Sequence, residues 1–512
     1  MFVWCKNSNE TVLTNDRMGR SDRAALSLHG AKNSIVRGQM ILRDFADFTI
    51  ESVEFTHLTG CVRAETLSAS IQGYQLYNDG IPYPDRLLPV TPTAVMAHRA
   101  QSVWVQVSIP ADADTGTGAF TMLCHTSVGD VTARFTLRVY DVCLPEPADG
   151  AFDHEYFFNF NSLKAYNNAF QPFTQPWWEL MGAYADAMKA LRVNCLYLNL
   201  YPLLAAGNTR QIGEQEWQLD FSYLDAFVRF FLHRGSFRHL VLTALCDSLS
   251  GAHLHTFDAS GALQPLDAQT DACRIWAETL YGAVYTHFKE NGWLDMLLVH
   301  IADEPHQTDH WKWMRGILRR VMPGVRCSEP LDMHESALEL AGECDVFVPR
   351  LEVYEAVSTF FADRQKQGDT VWCYSCCYPE QPWYLNKFID QPSRHSRLIK
   401  WACYSQGITG FLHWGFNFWD IALYGMDPAS RFKGDGFIVY PDAAHRSLFP
   451  SNRGLATTEG IQDYELLKLA EKRDPDAAKA ISLSVARSFS DFTDDPNRIE
   501  LARVELLSLC ES

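Results

Sequence analysis

The sequence predicts a multidomain protein: an N-terminal antiparallel β-sandwich, then an α/β (β/α)8 TIM barrel with a C-terminal helical segment. At 512 residues the chain is too long for one ordinary core. Strand-like segments separated by turns fill the first part of the chain, and strand-like and helix-like segments alternate after it. We therefore predict a β-sandwich domain over 1–148, a catalytic barrel over 149–440 and a helical segment over 441–512 that packs on the barrel.

The N-terminal region has the pattern of a sandwich. Its alternating or β-branched segments are 34–42, 48–55, 102–108, 119–124 and 132–140. Turns rich in Gly, Asp, Pro and Thr, such as 110–116, separate them, and no good helix lies between them. Segment 144–150 contains two prolines and a glycine, which is typical of a linker.

The barrel prediction rests on eight strand-like segments. They are 155–160, 193–200, 239–245, 296–302, 325–329, 345–349, 370–375 and 408–414. Amphipathic helical patterns lie between them, most clearly at 221–235, 271–290 and 306–321. Alternating strands and helices over such a length are typical of a barrel whose active site lies at the C-terminal ends of the strands.

Composition excludes several partners. The formal net charge of −18 argues against nucleic acid and anionic membranes, both of which need clustered Lys and Arg. Aromatic residues reach 13%, with 14 Trp, which offers flat faces for sugar rings, although a large core explains part of that count. We find no signal peptide and no run long enough to span a bilayer, so we expect a cytoplasmic protein.

The 14 cysteines are expected to be reduced and buried. Cys373 and Cys376 form a single C-x-x-C. A second such pair, or histidines at zinc-finger spacing, would be needed for a zinc site, and neither is present in the sequence. We predict no metal.

Two adjacent acids are the strongest functional signal. Asp303 and Glu304 follow the apolar run 296–301 and precede Pro305. Neighbouring carboxylates do not both ionise cheaply, so one pKa is pushed up and a proton donor becomes available. Many Asp-Glu pairs are solvated loop residues. The position of Asp303 and Glu304 at the end of the fourth predicted barrel strand instead favours a catalytic role.

Other polar and aromatic residues lie at or after predicted strand ends. The candidate substrate-binding residues are Asn161, Arg350, Trp372, Tyr374, Trp383, Asn386, Trp414, Asn417 and Trp419. Each alone is most often a packing residue. Several aromatic rings and amides on one rim would form a sugar pocket, because the rings stack and the amides bind hydroxyl groups.

Six short motifs occur in one order: 302–305, 372–374, 386–390, 410–414, 434–441 and 460–465. Together they resemble glycoside hydrolase family 123 and related bacterial proteins, over residues 150–470. The resemblance implies an exo-acting β-N-acetylgalactosaminidase that retains the anomeric configuration, acts on an oligosaccharide or glycoconjugate, and needs no cofactor.

The resemblance also implies roles for the two acids. In substrate-assisted hydrolysis the 2-acetamido oxygen of the sugar is the nucleophile, so a second, distant carboxylate is not needed. Asp303 would orient the acetamido group, and Glu304 would act as general acid and then general base.

Two alternatives stay open. A glycosidase of other specificity would use a separate carboxylate as nucleophile, for which Glu329, Glu352 and Glu380 are candidates. A non-catalytic carbohydrate-binding protein would use the aromatic rim alone. The sequence also leaves the oligomeric state open, a homodimer included.

Overall fold

A computed structural model describes residues 1–76, 79–166, 172–243, 245–419 and 433–511. The chain forms two compact units. The first unit contains Met1–Ala151, Glu380–Gly407 and Asn417–Ser512, and the second contains Phe152–Pro379 and Ile408–Phe416. Each unit is therefore built from more than one stretch of the sequence.

Ten strands form two five-stranded sheets at the start of the first unit. They are β1 Phe2–Asn7, β2 Ala25–Lys32, β3 Ser34–Arg43, β4 Phe48–Thr59, β5 Leu67–Leu76, β6 Pro82–Pro89, β7 Thr93–Val95, β8 Ala100–Ile109, β9 Gly116–Thr126 and β10 Val131–Cys143. The sheet orders are β1-β3-β8-β5-β6 and β2-β10-β9-β4-β7. Short 3-10 turns lie at Ala64–Thr66 and Pro147–Asp149.

Both sheets bury their side chains in one core. Met40 and Val105 come from the first sheet and Phe120 and Phe135 from the second, and each is at most 1% exposed. The prediction of an N-terminal antiparallel sheet region is confirmed. One pair differs, because β2 and β10 run parallel.

The second unit contains a nine-stranded parallel sheet and two hairpins. Its strands in chain order are β11 Asp153–Tyr156, β12 Cys195–Leu198, β13 Arg210–Gly213, β14 Glu216–Gln218, β15 His239–Leu242, β16 His253–Phe257, β17 Leu263–Asp267, β18 Leu297–His300, β19 Arg326–Leu331, β20 Val346–Pro349, β21 Thr370–Val371, β22 Cys373–Ser375 and β23 Gly410–His413. The sheet order is β21-β20-β19-β18-β15-β12-β11-β23-β22, and β13-β14 and β16-β17 are the hairpins.

The parallel sheet is nearly closed into a barrel. Strands β21 and β22 follow each other directly in the chain, separated by Trp372, yet they lie at opposite ends of the sheet order. An isolated parallel bridge between Arg350 and Tyr374 also joins the end of β20 to β22. Every one of the eight predicted strands overlaps an observed one, and the seventh is interrupted at Trp372.

Eight helices of the second unit follow its strands in the chain. They are α1 Gln175–Ala190, α2 Leu200–Ala206, α3 Ser222–Arg234, α4 Asp271–Glu290, α5 Thr308–Val321, α6 His334–Glu339, α7 Leu351–Ala356 and α8 Ser358–Lys366, with 3-10 turns at Asn161–Tyr166 and Leu294–Met296. Helix α4 begins where predicted because the Thr270 hydroxyl accepts the N–H of Cys273 at 3.2 Å.

The first unit is completed by later parts of the chain. These are α9 Arg394–Ser405, the hairpin of β24 Val439–Asp442 and β25 Ser447–Pro450, and helices α10 Asn452–Glu471, α11 Pro475–Leu483 and α12 Pro496–Glu511. Buried ion pairs join them to the sheets: Arg37 to Glu459 at 3.1 Å and Arg453 to Asp85 at 2.8 Å. The C-terminal helices thus group with the N-terminal sheets, whereas the sequence predicted a segment on the barrel.

Within the described residues, no helix has the length and apolar character that crossing a membrane requires.

Candidate active site

Asp303 and Glu304 lie just beyond the C-terminal end of β18. The strand is buried along its length, and Ile301 and Ala302 after it are 0% exposed. Glu304 has a φ of 54°, in the left-handed region, which costs a non-glycine residue roughly 1–2 kcal/mol. Strained backbone of this kind is often found at functional sites.

A loop after β15 holds the main chain of the two acids. The N–H of Leu249 donates to the carbonyl oxygen of Asp303 at 2.8 Å, and the N–H of His306 donates to the carbonyl oxygen of Leu249 at 2.8 Å. The Ser248 hydroxyl donates to the same Asp303 carbonyl at 3.0 Å and lies 3.3 Å from its carboxylate Oδ2. These bonds fix where the two side chains begin.

Glu304 has the surroundings of a proton donor. Burial raises its pKa, and the negative charges of Asp303 and Asp332 raise it further. The Tyr374 hydroxyl donates a hydrogen bond to Oε1 of Glu304 and lowers that pKa, as does Arg350, but the net direction is upward. A carboxyl with a raised pKa keeps its proton closer to neutral pH.

Asp303 is also perturbed, and its side chain stays 37% exposed. Burial raises its pKa, while His300 and the Ser248 hydroxyl lower it, and the net direction is upward. The imidazole Nε2 of His300 lies 3.9 Å from Oδ1 of Asp303. A cation at this distance favours the ionised form of the aspartate.

His300 is held by a buried carboxylate. Its Nε2 lies 3.4 Å from Oε1 of Glu329, which is 0% exposed. Glu329 accepts the N–H groups of Ile301 at 3.1 Å and Ala302 at 3.2 Å, and the indole N–H of Trp311 at 2.6 Å. Burial lowers the pKa of His300, but the charge of Glu329 outweighs it and raises that pKa to about 9.

A second buried acid faces His300. Glu155 on β11 is 1% exposed, and neither of its carboxyl oxygens has a hydrogen-bond partner among the described residues. Burial raises its pKa to about 7, against the opposing charge of His300. Beneath Asp303 and Glu304 the barrel therefore holds His300 together with Glu329 and Glu155.

Asp332 and Arg350 lie at the ends of the next two strands. Asp332 lies 3.0 Å from Nε2 of His306, and its carbonyl accepts from Nη2 of Arg350 at 3.3 Å. The guanidinium of Arg350 also pairs with Glu352 and lies 5.2 Å from the ring centre of Tyr378. These contacts place one cation close to the acids.

The structure brings two of the nine predicted binding residues, Tyr374 and Arg350, next to the acids. Trp414 is half-buried and Asn161 is exposed at the start of a 3-10 turn. Trp372 is 1% exposed and packs near Gly410 and 6.2 Å from the His239 ring, at the N-terminal ends of β23 and β15. The structure therefore places Trp372 in the barrel packing, at the end away from the acids.

The remaining four predicted residues belong to the first unit. Trp383 is 61% exposed, whereas Asn386, Asn417 and Trp419 are 0% exposed. Asn386 accepts the N–H of Lys387 at 2.7 Å, and the Trp419 indole donates to the carbonyl of Val439 at 2.8 Å. Among these four, Trp383 alone offers a large open side-chain surface.

Sequence reasoning missed His300, Ser248 and Asp332 as parts of the site. His300 stands inside an apolar run that was interpreted only as a strand. Asp332 follows directly after a predicted strand, which was a usable signal. Ser248 lies six residues beyond the end of β15, and nothing in its local sequence marks it.

The three carboxylates named as alternative nucleophiles differ in surroundings. Glu329 is fully buried beneath His300, and Glu352 is paired with Arg350. Glu380 is exposed and belongs to the first unit. Among the described residues, no group of three His, Cys, Asp or Glu side chains could hold a metal ion.

Comparison with known families identifies the class of this protein. The family model for the catalytic domain of glycoside hydrolase 123 matches residues 161–470. The protein is therefore a glycoside hydrolase, an enzyme that acts on carbohydrate. More particularly, the chain belongs to glycoside hydrolase family 123, as its motifs predicted. No curated protein sequence matches the chain.

One solved structure supports the fold, and two others are more distantly similar. A family 123 glycoside hydrolase from Clostridium perfringens, studied for glycolipid glycan hydrolysis, is 13% identical, with a TM-score of 0.79 over 99% of this chain and 97% of that one. A GH10 xylanase with a bacterial Ig-like domain from termite gut is 10% identical, with a TM-score of 0.36 over 86% and 100%. A cyclomaltodextrinase is 11% identical, with a TM-score of 0.35 over 86% and 82%.

Proposed function

We propose that this enzyme releases terminal β-linked N-acetylgalactosamine from oligosaccharides or glycoconjugates, with retention of configuration, by substrate-assisted catalysis on a (β/α)8 barrel. Asp303 orients and polarises the 2-acetamido group, and Glu304 is the acid and base. The family resemblance supports the sugar, and the geometry of the acids supports the mechanism. The cytoplasmic location expected from the sequence stays a prediction.

The observation that carries the proposal is the contrast between two consecutive acids. Two carboxyl groups of an ordinary retaining glycosidase stand about 5 Å apart and flank the bond that breaks. Asp303 and Glu304 come from one strand end. Burial raises the pKa of both carboxyls, but His300 and the Ser248 hydroxyl oppose this shift at Asp303, while the charges of Asp303 and Asp332 add to it at Glu304. Glu304 is therefore the better placed proton donor of the two.

The reaction then has two steps. The acetamido carbonyl oxygen attacks C1 while Glu304 gives its proton to the glycosidic oxygen, and the C1–O bond breaks. Asp303 accepts a hydrogen bond from the acetamido N–H and stabilises the oxazolinium intermediate. Glu304, now a carboxylate, takes a proton from water as the water attacks C1. The C1–O bond of the oxazolinium ring breaks and restores the acetamido group, so the product keeps its configuration.

Two variants test these roles. Glu304→Gln removes the proton donor and Asp303→Asn removes the negative charge. We expect each to lower kcat on an aryl β-N-acetylgalactosaminide by on the order of 10²-fold or more, since that is what a positioned acid/base contributes. The matched controls, Glu335→Gln and Asp309→Asn, change exposed acids on the same unit and should leave kcat unchanged.

The substrate panel separates the proposal from a glycosidase with its own nucleophile. Substrate assistance requires the acetamido group, so an aryl β-galactoside should not be cleaved. Turnover of that galactoside at a comparable rate would exclude the mechanism. A binding protein would show sugar affinity with no turnover of any panel member.

A further inference from the structure

The first unit contains a basic cavity that the proposed catalysis does not use. Its volume is about 650 Å³, and the side chains that define it are Phe2, Arg17, Arg20, Arg43, Phe45 and His98. Ligand pockets in proteins commonly measure about 300–1,000 Å³, so one or two sugar units would fit. All six residues lie in the N-terminal sheet region or its connecting loops.

The cavity carries positive charge without its own counter-ions. Among the described residues, no carboxylate lies within 4.0 Å of a guanidinium nitrogen of Arg17, Arg20 or Arg43. This is unusual in a chain whose formal net charge is −18. Three arginines that line one cavity without a paired carboxylate offer N–H donors to an oxyanion.

The acids around the cavity are engaged elsewhere. Asp22 pairs with Lys6 at 3.0 Å and accepts the N–H of Gly19 at 2.7 Å. Asp44 accepts the N–H of Phe45 at 2.7 Å. Neither carboxylate is therefore positioned to neutralise the arginines.

One arginine is fixed in place. Arg43 is only 9% exposed, and its Nε donates to the carbonyl of His98 at 3.1 Å. A buried guanidinium normally has an anionic partner. Arg43 in the cavity wall therefore indicates a preformed position for an anion, beside the exposed Arg17 and Arg20.

The other side of the cavity is aromatic. Phe45 is 64% exposed, and its ring centre lies 5.3 Å from that of Phe2 and 5.4 Å from that of His98. Exposed rings offer flat apolar faces, which suit the apolar face of a sugar ring. A bare inorganic ion would leave this surface unused.

We propose that the basic cavity binds a sugar unit that carries a carboxylate or a sulfate ester, with the arginines on the oxyanion and the phenylalanines on the ring. The site is separate from the catalytic acids and does not depend on the proposed N-acetylgalactosaminidase activity. It would give the enzyme a second contact with acidic glycans.

Calorimetric titration of the full chain tests the site with three sugar probes, methyl N-acetylneuraminide, galactose 6-sulfate and neutral methyl galactoside, and with inorganic sulfate. Binding of at least one acidic probe, and none of the neutral one, is expected. The double variant Arg17→Gln/Arg20→Gln should weaken that binding by at least about tenfold, because each charge-assisted bond contributes more than a neutral one. Comparison of the two acidic probes distinguishes carboxylate from sulfate recognition.

The matched control is Arg134→Gln/Arg473→Gln, which removes two exposed arginines of the same unit. It changes the net charge by the same amount as the test variant. It should bind as the unchanged chain does, and both double variants should keep the melting temperature and the activity on an aryl glycoside. Absence of binding by both acidic probes would overturn the proposal, and so would equal loss in the control. Equally tight binding of inorganic sulfate would overturn the sugar contact.

Discussion

Asp303 and Glu304 are neighbours in the chain, and burial raises the pKa of both carboxyls, yet different neighbouring groups modify the two shifts. The imidazolium of His300 stands beneath Asp303 and is held there by Glu329. Glu304 instead meets a tyrosine hydroxyl and two like charges. The difference arises from the floor of the barrel and not from the acids themselves.

Tyr374→Phe should shift the pH profile of the reaction. The tyrosine hydroxyl stabilises the charged form of Glu304, so its loss should raise the pKa of Glu304 further. Because Glu304 must be protonated to act as the acid, the alkaline limb of kcat/KM should move to higher pH. Tyr285→Phe on α4 is the control. An unmoved limb, or one moved to lower pH, would contradict the assignment.

Glu155→Gln should change how stability depends on pH. The pKa of Glu155 in the folded protein is about 7, above the usual 4.5 of a glutamate, so its stabilisation is present below pH 4.5 and lost as pH rises through 7. The variant has no carboxyl to ionise at this position. Its free energy of unfolding at alkaline pH should therefore exceed that of the parent by on the order of 3 kcal/mol. Denaturant unfolding at several pH values, with Glu335→Gln as control, measures it. Parallel pH curves would refute the claim.

At the scale of single residues, the sequence located Asp303 and Glu304 but not the residues that hold them in place. A buried apolar run that ends in Asp-Glu-Pro is a local signal, so Asp303 and Glu304 could be found. Whether Trp372 or Tyr374 faces the acids depends on the direction of each side chain around the barrel. That direction follows from strand register and from the break at Trp372, which the local sequence does not report.

Among the elements, the seventh and eighth predicted barrel strands pack closely where Trp372 meets Gly410. A Cβ on Gly410 would lie 2.5 Å from the Trp372 indole, which is itself 1% exposed. Gly410→Ala should therefore destabilise the protein by about 1–3 kcal/mol, as overpacked cores do. Gly316→Ala in α5 has open space and should stabilise by roughly 0.5–1 kcal/mol. Thermal melting of both variants measures these effects. Equal melting temperatures for Gly410→Ala and Gly316→Ala would be evidence against the close contact of Gly410 with Trp372.

The barrel elements were largely predictable because their periodicity is local. Helix α4 was predicted at 271–290 and is observed there, and α3 was predicted to within one residue at each end. The first strand was placed at 155–160 but spans Asp153–Tyr156. Phe157, Phe158 and Phe160 have strand propensity, yet they lie beyond the end of the strand and pack against other aromatic rings.

For the molecule as a whole, the order of segments in the chain differs from their grouping in space. The linker at 144–150 was a sound boundary signal, since the first unit breaks at Ala151. The return of residues 380–407 and 417–512 to that unit has no local signature. It depends on buried charge pairs between residues hundreds of positions apart, such as Arg37 and Glu459.

Asp463→Asn should test how strongly the returning helices stabilise the first unit. Asp463 is 0% exposed and accepts from Arg397 at 2.6 Å, from Arg503 and from the Trp401 indole at 2.9 Å. Its neutralisation leaves buried guanidinium groups uncompensated, at a cost of about 3–5 kcal/mol. Urea unfolding should show this loss, and the exposed control Asp476→Asn should not. Equal urea midpoints for the two variants would mean that the ion pairs around Asp463 contribute little to stability.

The two proposed catalytic acids are joined by a single peptide bond, and this makes their spacing a property of local covalent geometry. Loosening of the barrel, by heat or by distant mutations, moves both carboxyl groups together relative to a bound sugar. Such changes would weaken substrate alignment before they altered the pair itself. An engineer could therefore reshape parts of the rim other than Tyr374 and Arg350 for a new aglycone without changing the spacing of the two acids.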